Sequence, residues 1–181
     1  MKKRNWQEGK IHIYSGDGKG KTTASVGLAV RAAGYGLNIL FTQFLKNGKS
    51  SELKVLKNIP AIKLLHTKPI AKFVFLMNQE EKEKTKKLTD EYFEEIVRIA
   101  REEQIDLLIM DEILGTLTTG MLAEEKLLKF LQEKPKNLEI VLTGREPSKA
   151  LIEIADYYSK IESIKHPFET EGLKAREGIE F

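Results

Sequence analysis

The chain has 181 residues, of which 41% are hydrophobic and 31% charged, and it contains no cysteine. A chain of this size can bury one sizeable core, while the lack of cysteine excludes disulfides, thiolate metal sites and a cysteine nucleophile. The 30 Lys and Arg residues nearly balance the 27 Asp and Glu residues, for a net charge of +3, which argues against a protein built to coat nucleic acid.

Hydropathy at the start and along the chain indicates where the protein resides. No apolar run reaches the roughly 20 residues of a membrane-spanning helix. The first four residues, Met-Lys-Lys-Arg, carry the charge of a signal peptide but are not followed by its apolar stretch. We therefore expect one cytoplasmic domain over residues 1–181, with no nucleic-acid or membrane partner.

Short apolar runs alternate with longer helical patterns. In chain order we predict a strand at 11–14, a helix at 22–33, strands at 37–44 and 62–65, a helix at 88–100, a strand at 106–110, a helix at 122–131, a strand at 138–142, a helix at 148–155 and a weak strand at 157–164. The helix at 22–33 is dense in Ala, Val and Leu, so we expect it to be buried on most sides and to be stopped by Gly34-Tyr35-Gly36. The mixed charges at 80–84 are expected to form a solvated face. This alternation predicts an α/β fold with a mostly parallel sheet flanked by helices on both faces.

A glycine-rich segment joins the first strand to the first helix. Residues 15–23 read Ser-Gly-Asp-Gly-Lys-Gly-Lys-Thr-Thr, which matches a phosphate-binding loop except that Ser15 stands where the general pattern has its first glycine. Small residues let backbone N–H groups converge on an anion at the helix N-terminus. In that pattern Lys21 reaches the phosphates and the Thr22 hydroxyl holds Mg²⁺. The alternative is a glycine-rich turn that binds nothing.

Polar residues at later strand ends are candidates for the same site. Asp111 and Glu112 follow the strand at 106–110, and Arg145 follows the strand at 138–142, so all three are expected at the carboxyl edge of the sheet, where ligands of such folds bind. Arg31 lies further along the loop helix. The alternatives are a strand-end salt bridge for the acids and a plain surface position for each arginine. The three histidines lack metal-ligand spacing.

Together these segments resemble one family, the P-loop type ATP:corrinoid adenosyltransferases, which include cob(I)yrinic acid a,c-diamide adenosyltransferase. The resemblance covers nearly the whole chain and rests on residues 16–23, 43–46, 110–113, 142–145, 155–156, 165–168 and 175–181. The closing Gly-Ile-Glu-Phe and the earlier Lys-His-Pro-Phe are more specific than the phosphate loop. The family's short loop also lacks the usual first glycine, and this chain has Ser15 at that position.

The resemblance implies a RecA-like fold, a homodimer, and attack of a reduced Co(I) corrinoid on C5′ of ATP with release of triphosphate. It implies that triphosphate is bound by the loop residues Gly16, Asp17, Gly18, Lys19, Gly20, Lys21, Thr22 and Thr23, with the backbone of Gly18 and Gly20 among the contacts. Thr22 and Glu112 would hold Mg²⁺ or Mn²⁺, and Arg31 and Arg145 would offset phosphate charge. Lys21, Glu112 and Arg145 are the expected catalytic residues. The chain has no cysteine pair and no flavin signature, so the electron that makes Co(I) would come from a reduced flavoprotein partner.

Members of this family also use aromatic residues after the third strand to exclude the lower axial ligand of the corrinoid. The matching residues here are Phe73 and Phe75. The alternative for this pair is core packing from one side of an extended segment.

Two other classes of function remain open from the sequence. A P-loop ATPase or kinase would use Glu112 to position water or a phosphoryl acceptor. A nucleotide-sensing module would bind ATP and turn nothing over.

Overall fold

Six parallel strands form one sheet at the centre of the fold. A computed structural model describes residues 8–46, 48, 50–66 and 74–180. The strands are β1 (Ile11–Ser15), β2 (Ile39–Gln43), β3 (Ile62–His66), β4 (Leu107–Asp111), β5 (Glu139–Thr143) and β6 (Tyr157–Lys160), in the spatial order β3-β2-β4-β5-β1-β6. Every adjacent pair is parallel. The predicted α/β architecture is confirmed, and the sheet is fully parallel over the described strands.

Helices connect the strands and cover both faces of the sheet. They are α1 (Lys21–Tyr35), α2 (Glu52–Leu56), α3 (Gln79–Glu102), α4 (Ile113–Thr118), α5 (Glu124–Gln132), α6 (Lys149–Ile154) and α7 (Pro167–Glu171). One core cluster packs α3, α5 and α6 on one face of the sheet, and a second packs α1 and α2 on the other. No helix in the described ranges is long and apolar enough to cross a membrane.

Helix α1 differs from its prediction in length and in burial. It continues through Gly34 and ends at Tyr35, because Gly36 adopts the left-handed conformation (φ 98°) that closes the helix. Its buried residues are only Ser25, Ala29 and Ala32. The helix lies with one small-residue face on the sheet, so the prediction that most of its sides are buried is wrong.

The charged lead-in at 80–84 belongs to a helix. Asn78 accepts a hydrogen bond from the Glu81 backbone N–H (2.9 Å), and the Glu81 carboxylate accepts from the Asn78 N–H (3.0 Å). This reciprocal cap satisfies N–H groups that a helix start leaves unpaired. Helix α3 therefore begins nine residues before the predicted start at 88, and its charged first turns remain mostly exposed.

Three short helices were not predicted, and the last strand is shorter than predicted. Helices α2, α4 and α7 have only five or six residues each, too few for an apolar period of 3.6 to show. Strand β6 stops at Lys160 and all its residues are exposed. It forms one border of the sheet beside β1.

Candidate functional site

The phosphate loop lies at the carboxyl edge of the sheet, between β1 and α1. The Gly16 N–H donates to the Arg145 carbonyl (3.0 Å), and the Gly18 N–H donates to the Ile161 carbonyl (2.9 Å). Gly16 has φ 113°, and a β-carbon there would overlap the Ile161 carbonyl oxygen. The loop shape thus depends on the backbone that follows β5 and β6.

These contacts change the expected role of one loop residue. The Gly18 N–H, expected to contact triphosphate, is paired with Ile161 in this structure. Helix α1 begins at Lys21, with Gly20 as its N-cap, and the first N–H groups of a helix have no partner within the helix. The N–H groups at the start of α1 can therefore donate to an anion, and the helix dipole there also favours negative charge.

The Lys21 side chain folds back onto the phosphate loop. Its Nζ donates to the Gly18 carbonyl (2.8 Å). Burial lowers the pKa of the ammonium, and the positive charge of Arg145 lowers it further, while Glu112 opposes both effects. The Lys21 ammonium is thus a partly dehydrated cation at the helix N-terminus, where its attraction to phosphate is stronger than in bulk water.

Asp111, the last residue of β4, is the most connected side chain of the site. Its carboxylate is fully buried. Oδ1 accepts from the Thr22 hydroxyl (2.9 Å) and from the Thr143 hydroxyl (2.7 Å). Oδ2 accepts from Lys46 Nζ (2.7 Å) and from Gln43 Nε2 (3.2 Å). One carboxylate therefore ties α1, β2 and β5 together at the carboxyl edge.

Glu112 follows in a left-handed backbone conformation (φ 62°), which is uncommon for a residue with a side chain. Its N–H donates to the Thr143 hydroxyl (2.8 Å). Burial raises the pKa of its carboxyl and the Asp111 charge adds to that rise, while Lys46, Lys21 and Arg145 oppose it. Glu112 is thus a half-buried carboxyl with the three cations of the site close by.

The oxygen atoms of this site fit a magnesium or manganese ion that arrives with a nucleotide. Such ions bind one or two carboxylates together with substrate phosphates and keep several waters. Thr22 and the adjacent acids Asp111 and Glu112 supply a hydroxyl and two carboxylates, and Gln43 Oε1 is a buried acceptor without a partner among the described residues. The described ranges hold no cluster of three or more His, Cys, Asp or Glu residues that would bind a metal alone. The Thr22 hydroxyl is hydrogen-bonded to Asp111. Glu112, which is expected to hold the metal with Thr22, is the next residue in the chain.

The C-terminal segment, residues 161–180, holds two of the three charged side chains of the loop. Asp17 Oδ1 accepts from the Ser163 N–H (3.2 Å), and that contact lowers the pKa of the Asp17 carboxyl. Lys19 Nζ lies 3.2 Å from Glu180 Oε1, and Glu180 is also paired with Arg176. Asp17 and Lys19 are thus directed to the chain terminus, whereas Lys21 and Thr22 face the site.

The two predicted arginines lie at different places. Arg145 is exposed at the end of β5, with its charge acting on Lys21 and Glu112. Arg31 lies ten residues into α1, and at 1.5 Å per residue it is about 15 Å from Lys21 along the axis. Its charge acts on Tyr14. The structure therefore brings Arg145 to the phosphate loop and leaves Arg31 apart from it.

Of the remaining predicted residues, Thr23 is exposed in the first turn of α1. Phe75 lies in a short 3₁₀ turn (Val74–Leu76) and is 77% exposed. The core-packing alternative is therefore wrong for Phe75. Phe73 lies outside the described residues.

Three contributors to the site had no predicted role: Gln43, Lys46 and Thr143. The sequence does carry a signal for the first, because a glutamine ending an apolar strand is unusual. The register pairs Gln43 with Asp111 across β2 and β4, so both strand ends meet at one edge. Thr143 ends β5, the other neighbour of β4. Lys46 follows β2 in a turn that periodicity does not define.

With this geometry established, comparisons with known proteins identify the family. Residues 7–181 match the sequence model of the family described as ATP:corrinoid adenosyltransferase BtuR/CobO/CobP. The chain belongs to this family. A corrinoid adenosyltransferase of a Sinorhizobium species is 29% identical, over 97% of this chain and 81% of that protein. One from Escherichia coli K12 is 27% identical, over 97% of this chain and 87% of that protein.

A solved structure shows the same fold. The cytoplasmic domain of EssC aligns with a TM-score of 0.51 at 16% identity, covering 93% of this chain and 35% of that one. This likeness concerns the architecture alone. With the parallel sheet and the strand–loop–helix at its edge, it supports a RecA-like P-loop fold, as predicted.

Proposed function

We propose that this protein transfers the 5′-deoxyadenosyl group of ATP to the cobalt of a reduced, Co(I) corrinoid and releases inorganic triphosphate. Membership of the adenosyltransferase family supports this proposal. The structural observation that supports it most directly is the group around the start of α1, where Lys21, the charge of Arg145 and the part-buried Thr22–Asp111 hydrogen bond come together.

The proposed reaction is a displacement at C5′. The Co(I) electron pair forms the cobalt–carbon bond, the bond from C5′ to its phosphate oxygen breaks, and that oxygen leaves with the bonding pair. Cobalt is formally oxidised by two electrons and the adenosyl carbon is reduced correspondingly. The nucleophile carries no proton, so the reaction needs no general base.

The demand on the protein is the negative charge that accumulates on triphosphate. Preorganised N–H donors and cations in a partly dehydrated site stabilise such charge best. Lys21, Arg145 and the N-terminus of α1 are these groups, and we assign to Gly20, Thr22 and Thr23 the backbone contacts. Gly16 and Gly18 act by shaping the loop against Ile161, and Asp17 and Lys19 by holding it to the C-terminal segment. A contact of Arg31 with the nucleotide stays a prediction.

Thr22 and Glu112 would hold Mg²⁺ or Mn²⁺, with Asp111 orienting the Thr22 hydroxyl. When bound, the ion supplies further positive charge to the triphosphate.

The proposal includes partners outside the chain. Formation of Co(I) requires an electron, and we propose a reduced flavoprotein as its donor.

We propose that Phe73 and Phe75 exclude the lower axial ligand of the corrinoid, and the exposure of Phe75 supports a role at a surface. We also propose a cytoplasmic homodimer with one domain per chain over residues 1–181. The continuous sheet and its two cores support a single domain among the described residues.

An anaerobic assay tests the proposed function. The protein is mixed with ATP, Mg²⁺ and chemically prepared cob(I)alamin, and the corrinoid absorbance spectrum is followed. Adenosylcobalamin is expected to form only with ATP, and the Lys21→Ala variant is expected to form it roughly 10²- to 10³-fold more slowly, the typical effect of losing one group that stabilises transition-state charge. An unchanged spectrum with the native protein would refute the proposal.

A further inference from the structure

Lys46 stands out among the residues of the site because its ammonium touches the buried carboxylate directly. Nζ lies 2.7 Å from Asp111 Oδ2, 3.4 Å from the Thr22 hydroxyl oxygen and 3.8 Å from Glu52 Oε1. The Lys46 side chain is 24% exposed and that of Asp111 is 0% exposed. A cation of the protein itself therefore lies against the carboxylate and close to the hydroxyl that is bonded to it.

Electrostatics explains why this cation is needed. A buried carboxylate without an opposite charge is strongly destabilising. The other donors to Asp111, from Thr22, Thr143 and Gln43, are neutral groups. Lys46 supplies the one positive charge in direct contact with Asp111 among the described residues.

The backbone before Lys46 is shaped to bring it there. The Phe44 N–H donates to the Asp111 carbonyl (2.8 Å), which continues the contact between β2 and β4 past the end of the strand. Leu45 then takes a left-handed conformation (φ 52°), which is unfavourable for a branched apolar residue and persists only when its surroundings impose it. This turn directs the next side chain, Lys46, back to Asp111.

We propose that Lys46 is an exchangeable counter-ion, which neutralises Asp111 in the metal-free site and competes with the divalent cation that enters with the nucleotide. The inference rests on the proposed nucleotide–metal site. A divalent cation beside Thr22 and Asp111 repels an ammonium held 2.7 Å from the same carboxylate. Glu52, which also accepts from Gln43 Nε2 (2.8 Å), offers Lys46 a second carboxylate to which it can move.

Binding of Mn²⁺ at a fixed ATP concentration tests this competition, with no corrinoid present. Electron paramagnetic resonance of free Mn²⁺ is recorded with the native protein, with Lys46→Met and with Lys46→Arg. Lys46→Met is expected to bind Mn²⁺ at least about tenfold more tightly, because the competing charge-assisted hydrogen bond is worth a factor of about that size. Lys46→Arg keeps the competing charge and is expected to stay near the native affinity.

The matched control is Lys63→Met, which removes a lysine from an ion pair with Glu103 elsewhere on the sheet (2.6 Å) and is expected to leave Mn²⁺ affinity unchanged. Thermal unfolding gives the second readout: Lys46→Met lowers the melting temperature of the metal-free protein, and saturating Mn²⁺ with ATP removes most of the difference. If Lys46→Met does not fold, Lys46→Gln replaces it.

Three results would overturn the proposal: an Mn²⁺ affinity that is unchanged or weaker in the neutral variant, no detectable binding to either protein, or a loss of melting temperature that Mn²⁺ with ATP does not diminish. None of these measurements involves adenosyl transfer. A failure here is therefore distinct from a failure of the proposed function.

Discussion

The Thr22 hydroxyl donates a 2.9 Å hydrogen bond to Asp111 Oδ1 and so joins the first turn of α1 to the end of β4. These residues are 89 positions apart in the chain. The bond fixes the orientation of a hydroxyl beside the phosphate loop. The buried Asp111 is itself held by Thr143, so the orientation is set by two neighbouring strands as well as by the loop helix.

Replacing Thr22 by valine tests this contact. Valine keeps the shape but removes the hydroxyl, and we expect a loss of roughly 10- to 100-fold in kcat/KM for ATP, as for other groups that bind or orient a metal. Thr22→Ser restores the hydroxyl and is expected to recover most of the activity. Steady-state kinetics with cob(I)alamin at several Mg²⁺ concentrations measures both variants. Equal activity of the serine and valine variants would show that the hydroxyl has no role.

Replacing Gly16 by alanine tests whether the loop depends on the backbone that follows β6. Gly16→Ala adds a β-carbon that overlaps the Ile161 carbonyl oxygen at φ 113°, and we expect it to lower the free energy of unfolding by about 2 kcal/mol or more. Gly27→Ala is the matched control, because Gly27 lies in α1 with open space around it and alanine favours a helix. Urea unfolding compares the two. A Gly16→Ala variant as stable as the native protein would contradict the packing described for the loop.

Glu139, which lies away from the site, is expected to make the stability of the protein depend on pH. Burial disfavours its ionised form, but hydrogen bonds from His12 and from the Lys10 N–H outweigh burial and hold the pKa of the carboxyl below 4.5. A pKa lowered by folding stabilises the native state above the unfolded value and loses that effect as pH falls through the folded value. Glu139→Gln is therefore expected to cost about 1–2 kcal/mol at neutral pH and less at acid pH. Urea unfolding from pH 7 to pH 3 measures this. An equal cost at every pH would refute the assignment.

Much of the fold follows from the sequence, and the site follows in part. The strands were predicted because β2, β4 and β5 are almost entirely buried and therefore form continuous apolar runs. The phosphate loop was found by its local composition. The roles of Gln43, Lys46 and Thr143 depend on which strands are neighbours, and strand order comes from long-range packing that local patterns do not encode. The pairing of the Gly18 N–H with Ile161 is missed for the same reason.

Phe75 tests the proposed corrinoid contact. Because Phe75 is 77% exposed, Phe75→Ala is expected to leave stability nearly unchanged. We expect it to reduce activity that starts from cob(II)alamin with a flavoprotein reductant, while chemically prepared cob(I)alamin reacts at the native rate. Tyr35→Ala, which removes an exposed aromatic ring at the end of α1, is the control for both assays. An equal loss with both corrinoid forms would rule out a role in excluding the axial ligand.

The most direct test of the proposed chemistry is the fate of the three phosphates. Phosphorus NMR of an anaerobic reaction with ATP, Mg²⁺ and cob(I)alamin distinguishes displacement at C5′ from phosphoryl transfer, because only the first releases the phosphate chain intact. We expect inorganic triphosphate in equal amount to the adenosylated corrinoid, and neither product with Lys21→Ala on the same timescale. ADP with phosphate, formed whether or not the corrinoid is present, would instead identify an ATPase.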